Sequence, residues 1–140
     1  MNPTEKTREQ DLKIRLALWL LKRIDYRLYE FKAALKFLEG CEKVLDVGCG
    51  RGTFIQNDPS RIDGLEYNID NIEACIEKGY RVIQGDATDM SEIADNTYDG
   101  VYCAHLIQIF DYQCALKLLH ELRRIVKPDG VIILVTFPDN

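Results

Sequence analysis

The residues of clearest chemical meaning are Gly48, Gly50 and Gly52, which follow a short apolar run containing Asp46 in the stretch VLDVGCGRG, Val44 to Gly52. A glycine-rich turn between a strand and the next helix lets a ligand lie against the main chain, because no Cβ stands in the way. The ligand class is narrowed by spacing. A dinucleotide fingerprint, G-x-G-x-x-G, would put its third glycine at position 53, where this chain has Thr53, and no P-loop lysine follows. An NAD-binding domain is thereby disfavoured.

Such a turn needs a sheet to hold it. After Gly40, short apolar runs alternate with helical stretches. Strands are expected at Val44–Val47, Ile62–Glu66, Arg81–Gln84, Gly100–Cys103 and Val131–Phe137, with helices at Ile69–Lys78 and Cys114–Val126. This alternation predicts an α/β fold with a mostly parallel sheet and right-handed crossovers. Lys127-Pro128-Asp129-Gly130 reads as a turn before the last strand.

Residues 1–40 form a separate helical segment before the domain of residues 41–140. Ile14, Ala17, Leu21, Ile24, Leu28, Phe31, Leu35 and Leu38 alternate three and four apart, an apolar stripe on one helical face that Gly40 ends. Two roles fit the stripe: packing on its own domain or pairing with another chain. The segment is also distinct in charge. It carries nine Lys/Arg against six Asp/Glu, whereas residues 41–140 carry nine against seventeen.

With 140 residues the chain is long enough to bury a core without staples, and its net charge of −5 opposes binding to nucleic acid or anionic membranes. Cysteines at 41, 49, 75, 103 and 114 form no C-x-x-C pair, which argues against a disulfide framework or a zinc site and for a reducing, cytoplasmic compartment. The apolar run Leu16–Leu21 is too short to span a membrane.

The glycine loop resembles motif I of the class I S-adenosylmethionine (SAM) dependent methyltransferases, of the type 11 kind, with consensus D/E-x-G-x-G-x-G. The resemblance covers about residues 41–138 and implies a Rossmann-like sheet of order 3-2-1-4-5 with helices on both faces. It implies cofactor contacts from Asp46, Gly48, Cys49 and Gly50, and from Glu66 in GLEYN, whose carboxylate can accept hydrogen bonds from the ribose hydroxyls. Tyr67 is placed to pack on adenine or ribose. Asp86 in VIQGDATD is expected to take the adenine amino group and the Ala87 N–H an adenine nitrogen. Cys103 and Ala104, in YDGVYCAHLIQIF, should lie near the methionine end.

Within that family, GLEYNIDNIEACIEKGYRVIQGDA at residues 64–87, with TFP at 136–138, is similar to the methionine-biosynthesis group MetW. Members of that group are described as methyltransferase-like proteins that assist a homoserine acyltransferase; the N-terminal helix is outside this pattern, so that partner is not carried over. Two departures stand out. The Gly52–Glu66 segment is short and broken by Asp58-Pro59-Ser60, so its helix should be short or irregular. Strand five is followed by only a few residues, where the family normally continues with a helix and an antiparallel pair of strands, so the sheet of residues 41–140 is expected to lack that pair.

Methyl transfer from a sulfonium depends chiefly on positioning, and a base is needed only where the acceptor must lose a proton. His105, just beyond strand four, is the candidate base, with a hydrogen-bonded histidine at a helix start as the plain alternative; His120 falls in a helix and reads as a surface residue. Two functions follow. The first is a SAM-dependent methyltransferase acting on a small molecule and releasing S-adenosylhomocysteine. The second is a non-catalytic SAM-binding subunit that regulates or completes a partner. Strand 131–137 should lie at an open sheet edge, and with the N-terminal stripe it predicts a homodimer or a partner subunit.

Overall fold

A computed structural model of the chain describes residues 27–136. Ile14, Ala17, Leu21 and Ile24 of the expected N-terminal stripe, and Phe137, lie outside the described residues. The elements in chain order are α1 (Arg27–Phe37), β1 (Val44–Val47), a 3-10 turn (Ile55–Asn57), β2 (Ile62–Glu66), α2 (Ile69–Glu77), β3 (Val82–Gln84), β4 (Tyr98–Ala104), a second 3-10 turn (Ile107–Ile109), α3 (Tyr112–Ile125) and β5 (Val126–Val135). The five strands form one parallel sheet in the order β3-β2-β1-β4-β5, as expected. Among the described residues, no helix is long and apolar enough to cross a membrane.

Alternation along the strands divides the core into two layers. Leu45, Val47, Leu65, Val101 and Cys103 are buried with Leu118, Leu122 and Ile125 of α3. On the other face, the register aligns Val44 with Ile62 and Gly100, and Asp46 with Gly64 and Tyr102. That face receives Phe54, whose ring stacks on Tyr102 with centroids 3.9 Å apart. It also receives Leu38, which follows α1: a Cβ on Gly100 would come within 2.5 Å of its Cδ2. Ala34 and Leu38, four apart, are the buried positions of that helical end, and Gly40 closes it with φ +85°.

Several boundaries differ from the sequence reading, each for a local reason. α3 begins at Tyr112 rather than Cys114 because the Asp111 side chain caps it, accepting a hydrogen bond from Cys114 N at 2.8 Å. β4 begins at Tyr98 rather than Gly100, and β5 at Val126 rather than Val131, because Tyr98 already pairs with Val126. The next pairing is Gly100 with Val131, two residues on along β4 against five along β5. Lys127–Gly130 is therefore a bulge inside the strand, not a turn before it. Asp99 holds it in place, accepting from Lys127 Nζ at 2.7 Å and from the Lys43 N–H at 2.8 Å. After the glycine loop the chain forms only the 3-10 turn Ile55–Asn57, as its short, proline-broken sequence predicts.

Asp46 is the one buried charged residue in this core among the described residues, 3 % exposed at the centre of the sheet. Burial, and then the nearby Glu66 charge, push its carboxyl well above the ordinary carboxylate range. Between that range and its raised value, the folded chain holds a proton that the unfolded chain has released. The stabilisation tied to this proton is complete below the ordinary range and is lost as pH rises through the window. Asp46→Asn removes the titration. Melting followed by circular dichroism from about pH 4 to pH 8 should show the variant gaining on the wild type as pH rises, by about 1.4 kcal/mol for each unit of the shift. A stability difference that does not change with pH would show that Asp46 ionises normally.

Candidate functional site

The sheet ends its first four strands around a cavity of about 400 Å³, within the range of small-molecule sites. Gly48 lies at its floor, Glu66, Tyr67 and Asn68 along one side, and Gly85, Asp86 and Ala87 beyond them. Leu106, Ile109 and Phe110, around the second 3-10 turn, form the facing wall.

The floor is a strained turn that only glycine makes cheaply. Gly48 has φ +76°, and a Cβ there would come 3.1 Å from Leu106 Cδ2, closing the space between floor and wall. The Gly48 and Cys49 N–H groups donate to the Leu65 carbonyl at 2.8 and 3.1 Å, so the turn is fastened to the end of β2. Gly50 N–H donates to Glu66 Oε2 at 2.7 Å. Oε1 of the same carboxylate accepts from Tyr67 N at 3.0 Å and Asn68 N at 2.9 Å. One carboxylate thus ties the loop to the start of α2. With two acceptor positions on each oxygen, Oε1 is filled and Oε2 keeps one for a hydroxyl donor.

Asp86 follows β3, and its Oδ1 accepts from Thr88 N at 2.7 Å and Thr88 Oγ1 at 2.8 Å. Ala87 is buried beside it, whereas Tyr67 is 76 % exposed at the rim. Of the residues singled out in the sequence, the cavity brings together Gly48, Glu66, Tyr67, Asp86 and Ala87. Asp46, Cys49, Gly50, Cys103 and His105 are not part of its lining. Asp46 and Cys49 stand behind the loop in the core, and Cys103 is fully buried, with its thiol pushed up to about 12 by burial and by Asp46.

His105 directly follows β4 and adopts a left-handed φ of +58°, with its N–H donating to the Val135 carbonyl at 2.8 Å. Positive φ is uncommon outside glycine, although histidine is among the residues that accept it more readily. The sequence reading missed Leu65, Asn68, Gly85 and the wall of Leu106, Ile109 and Phe110. The wall did leave a signal. LIQIF is an apolar stretch too short for a helix, at the mouth of the strands where a loop would otherwise be polar.

The residues present fit the SAM that the glycine loop implies: bare main chain at the floor, a carboxylate with a free acceptor position, and apolar side chains on the facing wall. Comparisons with known proteins agree in class. The chain is 30 % identical over 116 residues to the probable methyltransferase ltbC of Aspergillus luteorubrus, covering 70 % of this chain and 41 % of that one. It is 27 % identical over 106 residues to the tRNA (carboxymethyluridine(34)-5-O)-methyltransferase of Arabidopsis thaliana, covering 75 % of this chain and 26 % of the relative. The chain thus spans less than half the length of these curated relatives. A SAM-dependent methyltransferase from Archaeoglobus fulgidus superposes with a TM-score of 0.66 at 27 % identity, over 75 % of this chain and 49 % of that chain. The sequence model of the family described as methionine biosynthesis protein MetW matches residues 28–140. On that match the chain belongs to the MetW family, built on the class I methyltransferase fold.

Proposed function

We propose that this protein binds SAM in the cavity beside Gly48 and transfers its methyl group to a small-molecule acceptor. The observation that carries the reading is the Glu66 carboxylate, which faces the cavity, keeps an acceptor position free on Oε2 and holds the Gly50 N–H behind it. The Asp86–Ala87 corner and the Leu106–Phe110 wall are suited to the polar edge and apolar faces of an adenine. SAM would supply an activated methyl on a sulfonium, so the chain's own residues have to align the partners and exclude water. A small acceptor is favoured over a polynucleotide by charge, since residues 41–140 carry nine Lys/Arg against seventeen Asp/Glu.

A second reading, a SAM-binding subunit that completes a partner without catalysis, is supported by two observations. The lining offers carboxylates on the Glu66 and Asp86 side, but His105, the candidate base, stands outside it. β5 is also an edge strand that presents Ile132 and Leu134, 41 % and 38 % exposed. An apolar edge of this kind pairs readily with another chain. We propose that a second copy or a partner subunit is met at this edge, at the N-terminal apolar stripe, or at both.

Three measurements separate these claims. In calorimetry, Glu66→Ala should weaken S-adenosylhomocysteine binding by about 1–3 kcal/mol, the scale for hydrogen bonds to a charged group; an unchanged affinity removes Glu66 from the site. If His105 is the base of the catalytic reading, His105→Ala should slow methyl transfer to an acceptor that must lose a proton by about 10²-fold or more while leaving cofactor affinity intact; equal rates would return His105 to a structural role. In light scattering at micromolar concentration, the wild type should be larger than a monomer and Leu134→Lys should reduce it to one. A monomeric wild type refutes the association.

A further inference from the structure

Two cysteines that no part of the proposed reaction uses meet beneath the glycine loop. Cys49 Sγ lies 3.6 Å and Cys75 Sγ 3.3 Å from the same acceptor, the Gly50 carbonyl oxygen. The two thiols also interact with each other, so that each alters the other's ionisation. Both sit in gaps left by glycines. A Cβ on Gly64 would come within 2.6 Å of Cys49 Sγ, and one on Gly52 within 3.2 Å of Cys75 Sγ. The contact is long-range in sequence: Cys49 is in the loop after β1 and Cys75 is near the end of α2.

Gly50 is therefore gripped from two sides. Its N–H is held by Glu66 and its carbonyl by the two thiols, while Lys78 Nζ holds the next carbonyl, that of Arg51, at 2.7 Å. α2 thus controls the loop at both of its ends, through Glu66 before its start and through Cys75 and Lys78 at its finish.

We propose that Cys49 and Cys75 form a reversible disulfide under peroxide, and that closing it loosens the cofactor loop and weakens SAM binding. One sulfur, as thiolate, attacks a peroxide oxygen. The O–O bond breaks, the departing hydroxide leaves as water with the thiol's proton, and a sulfenic acid remains. The second sulfur then displaces that oxygen as a second water, forming the S–S bond. Two thiols lose two electrons, and one peroxide becomes two waters. The Gly50 carbonyl thereby loses both S–H donors at once. Burial holds both thiols up, so closure is slow at neutral pH and quickens as pH rises.

The effect on affinity rests on the SAM-binding reading; the disulfide itself does not. The test uses the full chain in a Cys114→Ser background, since Cys114 is the only one of the five cysteines that is not buried. After peroxide treatment, peptide mapping should find residues 49 and 75 linked and the intact mass lower by two hydrogens. Calorimetry with S-adenosylhomocysteine should show affinity at least tenfold weaker, restored by dithiothreitol. Adding Cys75→Ser keeps a hydroxyl donor near Gly50 but removes the disulfide, so that protein should keep its affinity after the same treatment. Linkage through Cys41 or Cys103 instead, or single oxidation without linkage, overturns the pair. A linked protein with unchanged affinity overturns the coupling. If the reduced protein binds no cofactor, the functional reading fails; mapping still judges the pair, and amide exchange at Gly50 and Arg51 judges the loosening, with no change on oxidation refuting it.

Discussion

The Glu66 carboxylate is the joint on which the site depends. It ends β2, takes the Gly50 N–H on one oxygen and the first N–H groups of the turn into α2 on the other. Without it, three donors at the mouth of the sheet would face one another with no acceptor, and the loop would have no fixed distance from α2. Charge-assisted bonds of this kind are among the stronger ones available to a chain. Because the residue that holds Gly50 also lines the cavity, the loop's anchoring and, on the proposed reading, the ligand's recognition fall to one group.

A cost accompanies this arrangement. Asp46 lies buried behind the loop, and Glu66 adds to the pressure against its ionisation. A positive charge brought to the glycine turn would ease that pressure. SAM, the ligand of the proposed reading, carries a positive sulfonium and a positive amino group, charge of the sign that would do so. Gly64 and Gly100 show the same economy in packing, since each omits a side chain so that Cys49 and Leu38 can approach the sheet.

The strand positions and the glycine and acidic parts of the cavity were legible in the sequence because they depend on local features, whereas the sheet order came from the family resemblance that those features carry. Glycine spacing, strand-end acidic residues and short apolar runs each declare themselves within about ten residues. Glu66 and Asp86 were readable because each ends or follows a strand whose pattern is clear. What was not legible depends on distant partners. The start of β5 at Val126 follows from pairing with Tyr98, and its bulge from the Asp99–Lys127 ion pair, neither visible in the local pattern of KPDG. The meeting of Cys49 with Cys75 likewise needs the crossover through β2 and α2. The Leu106–Phe110 wall was missed because a non-periodic apolar stretch has no face until the strand before it is placed.

The central claim is that the bare main chain of the glycine loop and the Glu66 carboxylate together receive a SAM-like ligand. Titration of the 15N-labelled protein with S-adenosylhomocysteine, following backbone amides by NMR, tests it most directly. Saturable shifts should concentrate at Gly48, Gly50, Tyr67, Asn68 and Ala87, and NADH at the same concentration should leave them in place. Shifts scattered over the surface, no saturation at millimolar ligand, or an equal response to NADH would contradict the account.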